Sequence, residues 1–390
     1  MRRSFFLHLY TILVLGGIVG CSDDPNAVGI HLIPGKDAVT IDSLKIPATV
    51  TSTDTARVRD NSTTLLLGKY QHYEARTLFQ FSGIPTNLPS AMIDSAVLQL
   101  RINYRFKDST GFLGFEIHQM TQAWSQSSYT WDSLQPGSNY TLASDTTILV
   151  AVGAMDTALS IRIDPVIRSW FRDSANSVNG MILLPSPFSN SNIILGFSNY
   201  ISISGDFRPL LTIVYRDSVS DTSSTTLILD PVQSLSLANY DLPPPAGKMD
   251  VQAGIAYRGK LQFSFPSILR GTSITSATMA LYLDAASSLR NSFTNATIVA
   301  RLALDTTSSP ALSSLSSSGA PVASDSTRFT FDVRNFVQQW TKGTANYGVV
   351  LQAINEVTSL DNFVFYGAAA DTAHRPKLQI TYTSFPTKRR

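Results

Sequence analysis

A segment that reads as a strand running into one short helix occurs twice in the chain, at residues 159–170 and 329–340. The copies end on Trp170 and Trp340, and each has an apolar residue four positions before the tryptophan. Because residues four apart share a helix face, each helix has one apolar side to bury. A helix this short is not stable alone, so the surrounding chain must supply the surface on which it packs.

The sequence around the two copies is also repeated. Apolar and polar residues alternate in segments that precede the copies, at 96–102 and 277–283, and in Arg-Pro segments that follow them, at 210–215 and 378–382. Alternation with period two predicts β-strands with one buried face. Matched segments in one order indicate duplication of a whole domain, and the period is too long for a solenoid repeat.

The chain is long enough to bury two cores. We predict an all-β protein of two tandem β-sandwiches, each with one short helix ending at its tryptophan. The segment after the first sandwich is rich in Ser and Asp, which favours a flexible linker. The predicted division is module 1 at 41–216, the linker at 217–225, module 2 at 226–383 and a tail at 384–390.

The N-terminus has the pattern of a secretory signal peptide at 1–20, with two arginines followed by an apolar run too short to span a membrane. It ends in Ile18-Val19-Gly20-Cys21, which resembles a bacterial lipobox, and Cys21 is the only cysteine. A lone cysteine in an exported protein is expected when it carries lipid. We therefore predict that Cys21 is lipidated and that residues 21–40 form a tether.

The residue after Cys21 is Ser22, whereas aspartate at this place retains lipoproteins of Gram-negative bacteria in the inner membrane. The resemblance to lipoproteins therefore implies a lipid anchor in the cell outer membrane, with display at the cell surface. The charge balance is 30 basic against 28 acidic residues. Such a balance lacks the basic surface that nucleic-acid binding requires, so we expect no nucleic-acid partner.

The order of the repeated motifs is similar to that of DNRLRE-type domains, which are related to carbohydrate-binding module family 96. The motifs are Arg-x-Leu-x-x-Phe, a strand opening on Ser-Ala, Phe-Asp-Val followed by Val-x-x-Trp, and Arg-Pro-x-Leu-x-Ile-x-Tyr. The resemblance covers most of 50–216 and 226–383, and it implies a jelly-roll-like β-sandwich and, for some members, polysaccharide binding. Module 1 departs from the pattern at Arg162. In module 2, residues 306–327 are a Ser-rich stretch without tryptophan, which we expect to be a loop.

Module 1 contains the densest aromatic cluster, formed by Trp124, Tyr129 and Trp131. Aromatic rings pack against the C–H faces of sugars, which makes these the candidate ligand-binding residues. Tyr129 and Trp131 would share one face of a strand. The alternative is a role in the core, which we expect for Trp131, Trp170 and Trp340, whereas Trp124 is the better candidate for ligand contact.

No histidine pair has metal-ligand spacing, and the motifs of nucleophilic or phosphate-binding sites are missing from the sequence. Glu74, Glu116 and Asp132 are candidates for a pair of carboxylates that cleaves polysaccharide, but isolated surface carboxylates are commoner. We predict no enzyme activity, no cofactor and no metal. Two functions remain open. One is a non-catalytic lipoprotein that binds polysaccharide at the cell surface, and the other is a structural or adhesive lipoprotein that docks partner proteins.

Overall fold

The computed structural model describes residues 40–55, 63–85, 91–107, 111–152, 154–172, 179–187, 192–199, 208–243, 245–255, 257–291 and 296–384. The described chain is all-β apart from short helices, as predicted. The predicted signal peptide, Cys21 and nearly all of the tether lie outside these residues.

The two repeats contain the same elements in the same order: six strands, one α-helix and three strands. The first comprises β2 (Thr64–Tyr70), β3 (Tyr73–Phe81), β4 (Met92–Arg105), β5 (Phe112–Gln119), β6 (Thr146–Ala151), β7 (Ala158–Arg162), α1 (Asp164–Arg172), β8 (Met181–Pro185), β9 (Ile193–Ser198) and β10 (Leu210–Arg216). The second comprises β13 (Lys248–Gln252), β14 (Tyr257–Phe263), β15 (Ser273–Tyr282), β16 (Ile298–Ala303), β17 (Leu312–Val322), β18 (Asp325–Asp332), α2 (Arg334–Thr341), β19 (Val349–Ala353), β20 (Asn362–Tyr366) and β21 (Lys377–Ser384). The strands predicted from alternation are present as β4, β10, β15 and β21.

Three further strands are exchanged between the repeats: β1 (Thr40–Thr55), β11 (Thr225–Leu229) and β12 (Pro231–Tyr240). Although β1 precedes the first repeat, its first half pairs with β21 and its second half with β14, both in the second repeat. Conversely, β11 pairs with β10 and β12 with β3, in the first repeat. The second sandwich is therefore completed by β1, which precedes the first repeat. The first sandwich is completed by β11 and β12, which precede the second repeat.

The exchanged strands occupy equivalent places in the same register. Ile46 of β1 lies opposite Leu378, and Leu229 of β11 lies opposite Leu211, which matches Leu378 in the repeat. The irregularity in β1 at Ala48 also recurs in β12, where Pro231 faces the end of β3. Both sandwiches therefore bind the exchanged strand at the same sheet edges, which are β21 and β14 in one and β10 and β3 in the other.

Residues 217–224, within the linker predicted at 217–225, are the turn of a hairpin that joins β10 to β11 within one sheet. The Arg216 guanidinium donates to Asp94, with Nη2 and Oδ1 3.0 Å apart, and to the backbone oxygen of Asp221. Such a short connection places β11 next to β10. In the second repeat, β1 occupies the equivalent position next to β21. The strand pairing thus differs from the predicted module boundaries at 41 and 226.

Each repeat has its own apolar core between curved sheets, and one face of its helix closes that core. Both helices run slightly past their tryptophans, α1 to Arg172 and α2 to Thr341. Asp164 opens α1, but its carboxylate accepts hydrogen bonds from the Ala96 backbone N–H (2.7 Å) and from Arg162. The α1 helix is therefore fastened to β4 and β7 through this side chain.

A further apolar cluster lies between the repeats and joins Tyr73 and Tyr104 of the first to Leu360 of the second. Gln252 Nε2 donates to the Tyr73 hydroxyl at 2.7 Å, and the Leu360 N–H donates to the Tyr104 hydroxyl at 3.2 Å. Burial raises the pKa of both tyrosines, so they stay neutral donors and acceptors. Packing and hydrogen bonds thus hold the repeats together directly.

The Ser-rich stretch of the second repeat is not the loop that we expected, since most of it forms β17 and the start of β18. β17 pairs with β16 through 312–319 and with β18 through 320–322, so it crosses between the two sheets. Gly319 lies against the ring of Phe331, where a Cβ would come within about 2.4 Å of a ring carbon. The strand is stabilised by its neighbours on both sides rather than by its own β-propensity.

Candidate ligand-binding surfaces

The predicted ligand-contact residue Trp124 is buried in the structure. It is 7% exposed, and its Nε1 donates to the Asn179 backbone oxygen at 2.8 Å. The residues between β5 and β6 fold over the outer face of β3 and β12, where Trp124 packs against Leu78 and Leu235. Trp124 thus belongs to a satellite core, contrary to the expectation that it would face a ligand.

Tyr129 and Trp131 are partly buried at the rim of this satellite core. They do not share a strand face, because Tyr129 lies in a turn and Trp131 begins a 3-10 helix that ends at Ser133. The Arg76 guanidinium carbon lies 4.2 Å from the centre of the Trp131 ring, a cation–π arrangement. Trp131 is therefore more accessible than Trp124, the reverse of the prediction, but Arg76 covers one ring face.

The three candidate carboxylates are engaged in separate places. Glu74 pairs with Arg76 at 2.8 Å, and half-buried Glu116 accepts a hydrogen bond from the Ser186 hydroxyl at 3.3 Å. Asp132 is exposed within the 3-10 helix. The structure gives these groups structural partners.

A concave site lies in module 2, around Trp340. It has a volume of about 360 Å³ and is formed by the end of β14, the 3-10 helix Ser267–Leu269, the end of α2 and the residues before β19. The lining residues are Gln262, Phe263, Ser264, Phe265, Pro266, Leu269, Arg270, Trp340, Thr341, Thr344 and Asn346. We call this site the Trp340 cleft.

Two half-buried aromatic rings form the apolar part of the cleft. The ring centres of Phe265 and Trp340 are 5.1 Å apart, with their planes inclined at 47°. Both rings pack against the edge of the core of the second repeat, so each keeps a fixed orientation. The two inclined rings form an angled apolar surface. Such a surface suits a puckered ring, such as that of a sugar, better than a planar ligand.

Polar groups surround the two rings. The Asn346 amide donates to the Phe263 backbone oxygen at 2.7 Å, and the Thr344 hydroxyl lies 3.2 Å from the Gln339 side-chain oxygen. Gln262 and Arg270 are exposed at the margin. The cleft thus combines rigid apolar rings with amide, hydroxyl and guanidinium groups, which is the composition of a binding site for a polar ligand.

The equivalent tryptophan of the first repeat is more deeply buried. Trp170 is fully buried, as predicted, whereas Trp340 was expected in the core and lies at its edge. Phe171 follows Trp170 and packs edge-on against Tyr215, with ring centres 5.1 Å apart, whereas Thr341 follows Trp340. The loss of this phenylalanine, together with the additional Phe265 after β14, is the sequence signal that distinguishes the two sites.

Within the described ranges, no helix is long and apolar enough to cross a membrane. Among the same residues, no group of three or more His, Cys, Asp or Glu side chains is arranged to hold a metal ion.

Comparisons with protein-family models and with curated proteins give no match. The resemblance to DNRLRE-type domains therefore stays a prediction. Among solved structures, the C-terminal domain of the Streptococcus agalactiae antigen I/II polypeptide BspA aligns with 9% identity and a TM-score of 0.15, covering 85% of this chain and 90% of that chain. A Macrobrachium rosenbergii nodavirus structure aligns with 11% identity and a TM-score of 0.09, covering 90% of each chain. Similarity this low carries no functional argument.

Proposed function

We propose that this chain is a non-catalytic lipoprotein, anchored through Cys21 in the cell outer membrane, that binds polysaccharide at the cell surface. The observation that carries the binding proposal is the Trp340 cleft, in which two fixed aromatic rings line a cavity rimmed by amide and hydroxyl groups. A pyranose ring has an apolar C–H face and polar hydroxyl edges, and the cleft offers groups that complement both.

The proposal places the site in module 2, although the sequence favoured module 1. In the tryptophan segment of module 1, Trp124 is buried by packing and Arg76 covers one ring face of Trp131. The two rings of the Trp340 cleft remain partly exposed and face a cavity.

The test is retention of the purified full chain on a panel of immobilised neutral and acidic polysaccharides. We expect Trp340→Ala to weaken the retention at least about tenfold, equivalent to roughly 1.4 kcal/mol of lost contact. Trp131→Ala is the matched control, because it removes a partly exposed tryptophan from the other module. Circular dichroism should show both variants folded.

Loss of retention in Trp131→Ala with full retention in Trp340→Ala would return the site to module 1 and disprove the assignment to the cleft. Failure of the wild-type chain to bind any polysaccharide would reject the binding proposal altogether. The structural or adhesive alternative would then be the better description.

A further inference from the structure

β6 is an edge strand that carries none of the usual protection against pairing with another chain. Among the described strands it pairs with β5 alone, and the order of its sheet ends there. Natural sheets guard their edges with charged residues, proline or bulges. The sequence of β6, Thr-Thr-Ile-Leu-Val-Ala, contains no charge and no proline, and its pairing with β5 is regular.

The outward face of this edge is also apolar. Ile148 and Val150 point inward and pack against the core of the first repeat, whereas Leu149 is 67% exposed. Phe112, opposite Ala151 in the neighbouring strand, is 56% exposed on the same face. An unpaired backbone edge therefore adjoins an exposed apolar patch, a combination that marks an interaction site.

The second repeat differs from the first at the end of this strand. There β17, the counterpart of β6, continues beyond β16 to pair with β18 and so closes that side of the sandwich. In the first repeat β6 ends at Ala151, and β7, the counterpart of β18, pairs with β4 alone among the described strands. Among the described strands, β6 thus lacks the continuation by which β17 pairs with β18.

We propose that β6 pairs antiparallel with β6 of a second copy of this chain. A two-fold axis at Leu149 would set Leu149 opposite Leu149 of the partner subunit, on the outer face beside both Phe112 rings. Self-pairing suits β6 because an uncharged strand meets no like-charge repulsion from its own copy. The contact is isologous, so it closes as a dimer and does not grow into a fibre.

The alternative edge is β11, which is also short and uncharged and exposes Ile228 (63%). It offers a poorer surface for self-pairing, because the charged pair of Arg208 and Asp230 lies at one end, with Nη1 and Oδ2 3.7 Å apart. β11 therefore provides a matched control, in which the same substitution is made at a similarly exposed apolar residue on another edge.

The experiment measures the mass of the purified full chain by analytical ultracentrifugation over a dilution series. We expect the wild type to change from twice the monomer mass to the monomer mass on dilution. Leu149→Lys should raise the dissociation constant at least about tenfold, because it opposes two cations across the axis, whereas Ile228→Lys should leave it unchanged. Mixing Leu149→Lys with Leu149→Asp should restore the dimer, since opposite charges then face each other.

Three results would each overturn the proposal. The first is a wild-type chain that stays monomeric throughout, in which case a strand of a different protein would be the better candidate partner for β6. The second is a dimer that persists in Leu149→Lys or disappears in Ile228→Lys. The third is a mixture of the Lys and Asp variants that remains monomeric although both variants are folded.

Discussion

Asp250 is a buried carboxylate whose cost to the fold can be measured by replacement with asparagine. It lies in β13, is 1% exposed, and one of its oxygens, Oδ1, has no hydrogen-bond partner. Burial raises its pKa to about 6, because the interactions with Asn362 and Lys248 offset the loss of hydration only in part. Asp250→Asn keeps the shape of the side chain and removes its charge.

The magnitude follows from the difference between the folded and unfolded states. An unfolded aspartate has a pKa of about 3.9, and one pKa unit corresponds to about 1.36 kcal/mol. Between about pH 4 and pH 6 the folded chain holds a proton that the unfolded chain has released, so stability falls as the pH rises through this window. At neutral pH the ionised Asp250 costs about 3 kcal/mol, and Asp250→Asn should recover up to that amount.

The assay is urea unfolding of wild type and Asp250→Asn at several pH values from about 4 to 7.5, with the difference in free energy plotted against pH. The gain in the variant should be near zero at the acid end and should reach its plateau above about pH 6. A difference that is constant across the range, or a variant that is less stable than wild type above pH 6, would refute the reasoning.

Asp284 provides a control of opposite sign. Burial would raise its pKa, but hydrogen bonds from Lys248 and Ser287 outweigh burial and lower the pKa to about 2. Its contribution to stability is therefore present above about pH 4 and is lost as the pH falls towards 2. Asp284→Asn should destabilise the fold at neutral pH, and this loss should shrink in acid.

Three further predictions follow from the fold and the sequence. Trp124→Ala should cost about 3–5 kcal/mol in urea unfolding, whereas Trp131→Ala should cost clearly less; equal costs would contradict the satellite core. Ile46→Ala in β1 should speed hydrogen exchange in β21 and β14 but not in β10, with the opposite pattern excluding the strand exchange. Cys21→Ser should abolish acyl labelling and release the chain from outer membranes, and a serine variant that still labels with palmitate would disprove the anchor.

Several strands could be predicted from the sequence, but β17 and the partners of some strands could not. Alternation from Ala96 to Ile102 indicates β4 because the period of two fixes which side chains are buried. β1 has a similar alternation at Leu44, Ile46 and Ala48, yet this pattern does not state which sheet the strand joins. That choice depends on the short connection after Arg216, which forces a hairpin.

The candidate site shows a similar limit. Trp170 and Trp340 occupy the same place in the repeat, yet Trp170 is fully buried and Trp340 lies at the edge of its core. The residue that follows also differs, Phe171 in one copy and Thr341 in the other. Trp124 and Trp131 were assigned the wrong exposures because the loop that carries them folds onto the outer face of the sheet. A periodic pattern indicates burial within a strand, but it contains no signal for a loop that covers a sheet.

The exchange of strands has a consequence for a chain cleaved between its repeats. A protease that cut within 217–224 would produce two fragments, but the first would still contribute β1 to the second sandwich, and the second would contribute β11 and β12 to the first. The fragments would remain joined by ladder hydrogen bonds and by the packing of Tyr73 and Tyr104 against the second repeat. The nicked protein would separate only after one of its sandwiches had unfolded, so a single cut at this surface turn would not release the C-terminal half from the N-terminal half.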